Sequence, residues 1–261
     1  LFGGPPLAAA ARLTDKARLF RRPSPDMPRK IVAVTLAAAR KSELVDGWAR
    51  LGFALPAHEN ALSLADGVCL DFFAPDDSAA GGVEDLQARA FLAHYAARRS
   101  GAALVGLSGE ADAFLTARPQ PLDGAECYFQ LIRAREPGAP LHPNGAVALK
   151  ALVAIAPDPG DFGEFLGNLT GQRAMVATSA GLEIGLDGGR LDVLTPPAFA
   201  FRFGGAPPEA SAFRIGGLHF AVNNLDETER FLRASGLDVA ARGGRLAAGT
   251  VEGVAVVFEQ A

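Results

Sequence analysis

Residues 149–194 read LKALVAIAPDPGDFGEFLGNLTGQRAMVATSAGLEIGLDGGRLDVL, and the order of elements within them decides how the rest of the chain is read. Leu149 to Ala156 is an apolar run of strand length, interrupted by Lys150. Asp158-Pro159 opens a helix with Phe162, Phe165, Leu166 and Leu169 at three- and four-residue spacing, and Gly171 closes it. Short strands follow at Met175–Thr178, Leu182–Leu186 and Arg190–Leu194, with Asp187-Gly188-Gly189 as the turn between the last two. This is a β-α-β-β-β unit, and it recurs from Phe213. There Leu218–Val222 is a strand, and Leu225-Asp226-Glu227 starts a helix with acidic residues at its positive dipole end. Phe231 and Leu232 face inward, Gly236 ends the helix, and strands follow around Leu237–Ala241, Arg245–Thr250 and Val254–Glu259.

Laid on the N-terminal half, the same template predicts a strand at Lys30–Leu36 and a helix lined by Leu44, Val45, Trp48 and Leu51. Strands Ala61–Leu64 and Val68–Phe73 then flank the turn Asp66-Gly67. A linking helix, Glu84–Arg99, leads to a less regular fourth unit: strand Ala102–Leu107, a helix near Ala111–Ala117, and strand Cys127–Arg135. Internal repetition of this kind fixes an architecture more firmly than any one strand. The division expected is an N-terminal arm at 1–28, a first domain at 29–136, a turn-rich linker at 137–146 and a second domain at 147–261.

The composition agrees with a packed protein that handles something small. The chain has 261 residues, 49% of them apolar and 21% charged, enough for a sizeable core. Its 25 Lys and Arg against 29 Asp and Glu give a net charge of −4, and no basic run is present to neutralise a phosphate backbone, so nucleic acid is not an expected partner. The most apolar stretch, Val147–Ala156, is far shorter than the ~20 residues of a membrane span, so no membrane partner is expected either. Two cysteines, Cys69 and Cys127, are too few for a disulfide framework, which points to a reducing, cytoplasmic location. The minimal parts of a serine-hydrolase elbow, a Walker loop, a zincin helix and a dinucleotide fingerprint are all missing.

Four βαβββ units in one chain resemble the vicinal oxygen chelate superfamily, and more narrowly its glyoxalase-like domain proteins. The narrower likeness rests on His142-Pro143-Asn144-Gly145-Ala146 followed by a strand and Asp158-Pro159, with Gly217-Leu218-His219 leading into Asp226. It covers roughly residues 29–260. The resemblance implies an α+β fold in which pairs of modules form two open sheet cups of the glyoxalase and bleomycin-resistance type. It also implies a divalent metal ion as cofactor, held in a cup by His, Gln or Glu on first and last strands and polarising a bidentate substrate. A homodimer is compatible with it.

Tested against that pattern, the ligand positions are only partly filled. Counting back seven residues from the helix-opening acid reaches His219 from Asp226 but Ala151 from Asp158. On the closing strands, the fourth residue after the turn glycine is Asp71 after Gly67 and Val257 after Gly253, with Glu259 two residues further on the same strand face. His219 and Glu259 are therefore the candidate metal ligands, and His219, Glu259 and Asp71 the candidate catalytic groups. Each has a plainer alternative: a strand histidine is more often a hydrogen-bonded core group, a carboxylate near a terminus is usually solvated, and Asp71 suits a sheet edge equally well. Gln130, His142 and Asn144 are candidate binding residues. Gln130 lies where relatives often carry a Gln-His pair but is followed by Leu131, and Asn144 before Gly145 also reads as a turn.

Two functions follow as expectations. One is an enzyme acting on a small oxygenated metabolite, a metal-dependent lyase, isomerase or dioxygenase, with His219 as ligand or base. The other is a non-catalytic pocket that binds or sequesters a small molecule, favoured by 17 Phe against one Trp and two Tyr.

Overall fold

The structure is a computed structural model that describes residues 28–55, 60–75, 86–109, 116–117, 126–134, 141–205 and 213–261. The arm expected at 1–28 lies outside them except for Pro28, as do residues 111–115 of the helix expected near Ala111–Ala117. Thr116–Ala117, from that same stretch, is a short strand, because it pairs antiparallel with Gln130 and Phe129 and not with a helical turn.

In chain order the elements are β1 (Ile31–Ala37), α1 (Lys41–Arg50), β2 (Ala61–Ser63), β3 (Cys69–Phe73), α2 (Leu86–Ala96), β4 (Gly101–Ser108), β5 (Thr116–Ala117) and β6 (Tyr128–Ile132). The second half has β7 (Ala146–Ile155), a 3-10 turn (Pro159–Phe162) running into α3 (Gly163–Thr170), β8 (Met175–Thr178), β9 (Gly181–Leu186) and β10 (Gly189–Leu194). It ends with α4 (Pro196–Phe203), β11 (Arg214–Val222), α5 (Leu225–Ala234), β12 (Ala240–Arg242), β13 (Arg245–Val251) and β14 (Val254–Gln260). The strand expected at Leu237 starts only at Ala240, since Leu237 still donates its amide to Leu232 in the helix-closing turn.

Two open mixed sheets result, ordered β2-β3-β1-β4-β6-β5 and β12-β13-β14-β11-β7-β10-β9-β8. In each, the first strands of two modules pair antiparallel at the centre, β1 with β4 and β7 with β11, and each first strand runs parallel to the last strand of its own module. No barrel closes. Among the described residues, no helix is long and apolar enough to cross a membrane.

One core joins the halves. Trp48 of α1 lies edge-on to Phe220 of β11, Phe53 stacks on Phe258 of β14, and Phe165 of α3 meets Phe129 of β6. The helices of each half thus cover the sheet of the other. The sheets' opposite faces are covered by the helices that link modules. In the first half, Ala88, Leu92 and Tyr95 of α2 pack on Ala37, Phe73, Ala103 and Leu104. In the second, Phe199 and Phe203 of α4 pack on Ala151, Val153, Ile155, Ala255 and Val257. With both faces covered, every residue of β11 is buried, and a strand buried on two faces loses the alternating pattern.

Candidate functional site

Two β-bulges shape the face of the second sheet that is turned away from the shared core. Between His219↔Ala151 and Phe220↔Leu149 the ladder skips Lys150, and between Ile215↔Ala154 and Gly217↔Val153 it skips Gly216. A bulge places two successive residues on one face and re-aims their side chains. Leu149 and Leu152 face the shared core, so Lys150 and Ala151 both turn to the opposite side, and Lys150 reaches Glu259 there with Nζ 3.9 Å from Oε1. The other bulge puts Gly216 and Gly217 side by side under α4. A Cβ on Gly216 would lie 2.4 Å from Cδ1 of Ile155, and one on Gly217 would lie 2.6 Å from Cζ of Phe203. Glycine is what lets α4 sit this deep.

The apolar end of this face is therefore covered by α4. Thr195 caps that helix by accepting from the Ala198 amide, Pro196 and Pro197 start it, and it ends at Gly204, whose φ of 73° suits glycine. Phe199 and Phe203 stack at 4.3 Å on the buried side, and Phe201 points to solvent.

The polar end is centred on His219, which is 2% exposed. Its Nε2 lies 3.0 Å from Oε2 of Glu259 but out of line for a hydrogen bond, and no other partner serves it. Burial pushes the imidazole down to about 4, against the pull of Glu259 and with help from Arg245, Arg190 and Arg202, so it is neutral at ordinary pH. Glu259 accepts from Nε of Arg245 at 3.1 Å. Across β7, Asp192 of β10 is 1% exposed and accepts from Nε of Arg190 at 3.1 Å on both oxygens, and also from Nη1 of Arg202 on α4. The cluster thus holds four cations, two carboxylates and one neutral histidine.

The two modules contribute equivalent positions. Arg190 pairs with Ala151 as Val257 pairs with His219, and Asp192 and Glu259 each lie two residues further along. Ala151, Asp192, His219 and Glu259 are therefore the four places from which first and last strands could offer ligands. They do not fit a divalent metal. Ala151 offers a methyl group, both oxygens of Asp192 are taken by guanidinium groups, and Glu259 is held by Arg245 with Lys150 nearby. A dication would meet two donors among four positive side chains, which opposes both coordination and charge balance. Among the described residues no group of three or more His, Cys, Asp or Glu side chains is arranged to hold a metal.

Of the six residues singled out in the sequence, His219 and Glu259 come together on the second sheet, and His142 and Asn144 share a turn elsewhere. Asp71 lies on β3 of the other sheet, beside Thr35 of β1 and Ala61 of β2. Gln130, 3% exposed, lies on β6 between Phe129 and Leu131, which face the shared core. His142 and Asn144 lie between the halves. His142 accepts from the Ala54 amide at Nδ1, so its Nε2 donates to the Ser63 carbonyl, and burial lowers its pKa. Asn144 donates to the Leu51 carbonyl and accepts from the Ala146 amide, while its own carbonyl accepts from the Thr228 hydroxyl.

Lys150, Arg190, Asp192, Arg202 and Arg245 were missed in the sequence, as was α4 itself. A signal for Asp192 was present: the offset that leads from Gly67 to Asp71 leads from Gly188 to Asp192. The bulge that turns Lys150 inward leaves no such mark.

No protein-family profile matches the sequence, and no curated protein matches it significantly. Solved structures do match by shape. A mutant of 4-hydroxymandelate synthase from Streptomyces coelicolor superposes with a TM-score of 0.55 at 12% identity, covering 89% of this chain and 92% of that one. A fusion of a xylose isomerase-like TIM barrel with a 4-hydroxyphenylpyruvate dioxygenase gives a TM-score of 0.58 at 10% identity. That match covers 96% of this chain and 53% of the fusion, so this chain spans about half of it. At such identities the likeness speaks for the fold. The two βαβββ modules of the second half, the central antiparallel first strands of both sheets and these two superpositions together show that the chain has the fold that the vicinal oxygen chelate resemblance implies.

Proposed function

We propose that this chain binds a small molecule at the polar end of its second sheet through charge and hydrogen bonds, without a chelated metal. The observation that carries this reading is the state of the four ligand positions: one is a methyl group, one a neutral histidine, and the two carboxylates are engaged by the chain's own cations. A buried charge pair that is already satisfied gains little from a metal and would lose its existing partners. The apolar end offers no alternative, because Phe199 and Phe203 fill it.

A second reading, catalysis on a small oxygenated metabolite, is favoured by one feature. His219 is neutral and keeps Nε2 unpartnered, as a group that gives or takes a proton must. In that reading Nε2 of His219 exchanges the proton, with the Glu259 carboxylate 3.0 Å away as its charged neighbour. Both readings set the chain in a reducing compartment, in keeping with Cys69 and Cys127 as buried thiols. A homodimer remains part of the proposal.

The test is elemental analysis of protein purified without chelator, together with a thermal-shift screen of small polar metabolites against wild type and His219→Ala. Metal-independent ligands that shift wild type and not the variant support the reading. Stoichiometric metal that is lost in His219→Ala overturns it. Turnover of a ligand without added metal selects the catalytic reading.

A further inference from the structure

The arginines at the polar end are only partly used. Arg190 meets Asp192 through Nε alone, and Arg245 meets Glu259 through Nε alone. Among the described residues, the Nη pair of each makes no hydrogen bond, and that end-on fork matches the two oxygens of a carboxylate or phosphate. Arg202 spends Nη1 on Asp192, and Lys150 makes a 3.9 Å ion pair without a hydrogen bond. These side chains remain reachable: Arg190, Arg202, Arg245 and Lys150 are 21%, 25%, 40% and 43% exposed.

Their placement is convergent. Arg190 lies in the same cross-strand row as His219, separated by the single methyl of Ala151. On the other side of His219, Arg245 pairs with Glu259 on β13 and β14. Arg190 and Arg245 therefore flank His219 from opposite sides of the sheet, and Lys150, turned to the same face by its bulge, reaches Glu259. The four cations exceed the two carboxylates by two charges. Near them, Nε2 of His219 is a buried nitrogen without a hydrogen-bond partner.

We infer that the ligand of this site is a small oxyanion carrying two negative charges, a dicarboxylate or a phosphate monoester, gripped by the Nη forks of Arg190 and Arg245 with Lys150 and His219 beneath. The inference rests on the metal-free binding reading above and names its ligand class. A dianion neutralises the cluster. A neutral molecule of the same size leaves the two surplus charges uncompensated and gains only single hydrogen bonds.

The experiment is isothermal titration of the full chain, at low ionic strength and without added metal, with malonate, methyl phosphate and neutral malonamide as probes. The same titrations are run on an Arg190→Gln/Arg245→Gln double variant, and on Arg230→Gln, a control on the exposed face of α5. Circular dichroism and melting confirm that each variant folds. An Arg190→Lys/Arg245→Lys variant, which keeps the charge and loses the fork, separates bidentate grip from simple attraction.

The expected result is saturable binding of malonate or methyl phosphate, whichever oxyanion source the site prefers, with malonamide at least about tenfold weaker. The glutamine double variant loses that binding by about tenfold or more, the lysine variant recovers part of it, and Arg230→Gln matches wild type. Binding of malonamide as tight as that of both dianions overturns the ligand class while leaving metal-free binding standing. Dianion binding that appears only with added metal overturns the underlying reading instead. Absence of any dianion binding, or binding unchanged in a folded glutamine variant, overturns the inference.

Discussion

His219 shows how much one residue can carry. Its folded value of about 4 lies below the 6.5 of the unfolded imidazole, so between those values the unfolded chain holds more protons. The stabilisation from keeping it neutral is whole above 6.5 and is lost as pH falls to about 4. Thermal melts across that window are expected to show stability falling with pH. In His219→Asn that slope becomes shallower, after allowance for His142, which burial shifts the same way. The groups around His219 are Glu259, Lys150, Arg190, Asp192, Arg202 and Arg245, so the difference between wild type and variant reports His219 together with its interaction with them. Asn144 is legible in a different way. Its place before Gly145 marked a turn, and the turn is real, with the Gly145 amide donating to the His142 carbonyl. The sequence did not reveal that the same side chain also bonds to Leu51 across the boundary between the halves. Asn144→Ala leaves the buried Leu51 carbonyl and Ala146 amide unpaired, and denaturant titration is expected to show a loss of about 1–3 kcal/mol.

At the scale of elements, α4 is what sequence reasoning left out, although Thr195 and the two prolines mark its start. The reason is physical: eight residues carry too few turns for a periodic stripe to stand out from the strand preceding it. Its seat was equally hidden, because Gly216-Gly217 in a strand reads as a weak point unless the helix above is known. Gly217→Val is expected to destabilise the protein by about 1–3 kcal/mol, since the new side chain enters the ring of Phe203. Calorimetry of Gly217→Val/Phe203→Ala is the check. A double variant that loses less than the sum of its single changes confirms that the helix sits on the glycines, whereas simple additivity would show that it does not. The first half uses the same device: a Cβ on Gly101 would lie 2.5 Å from the hydroxyl oxygen of Tyr95 on α2. Burial raises that phenol to about 12.

For the whole molecule, the repeat was legible in the second half because turn glycines and helix-opening acids recur there at fixed intervals, and the structure pairs those two modules as that recurrence implies; the described residues of the first half give its sheet six strands against eight in the second. What repetition could not convey is that the halves share a core. Trp48 is fully buried against Phe53, Phe72 and Phe220, so residues of both halves surround it. Trp48→Ala is expected to cost about 3–5 kcal/mol. Wild type is expected to unfold in one transition, the same by tryptophan fluorescence and by circular dichroism. Two separated transitions would show that the halves fold independently. The central claim is that His219 is a neutral imidazole beside carboxylates held by the chain's own cations, and not part of a chelate. Imidazole nitrogen resonances test it most directly, because the chain has only 4 histidines to assign. On addition of equimolar zinc, the His219 signals are expected to stay in place and to report a neutral ring well below the ordinary imidazole pKa; a stoichiometric zinc-induced shift of those signals would contradict the claim.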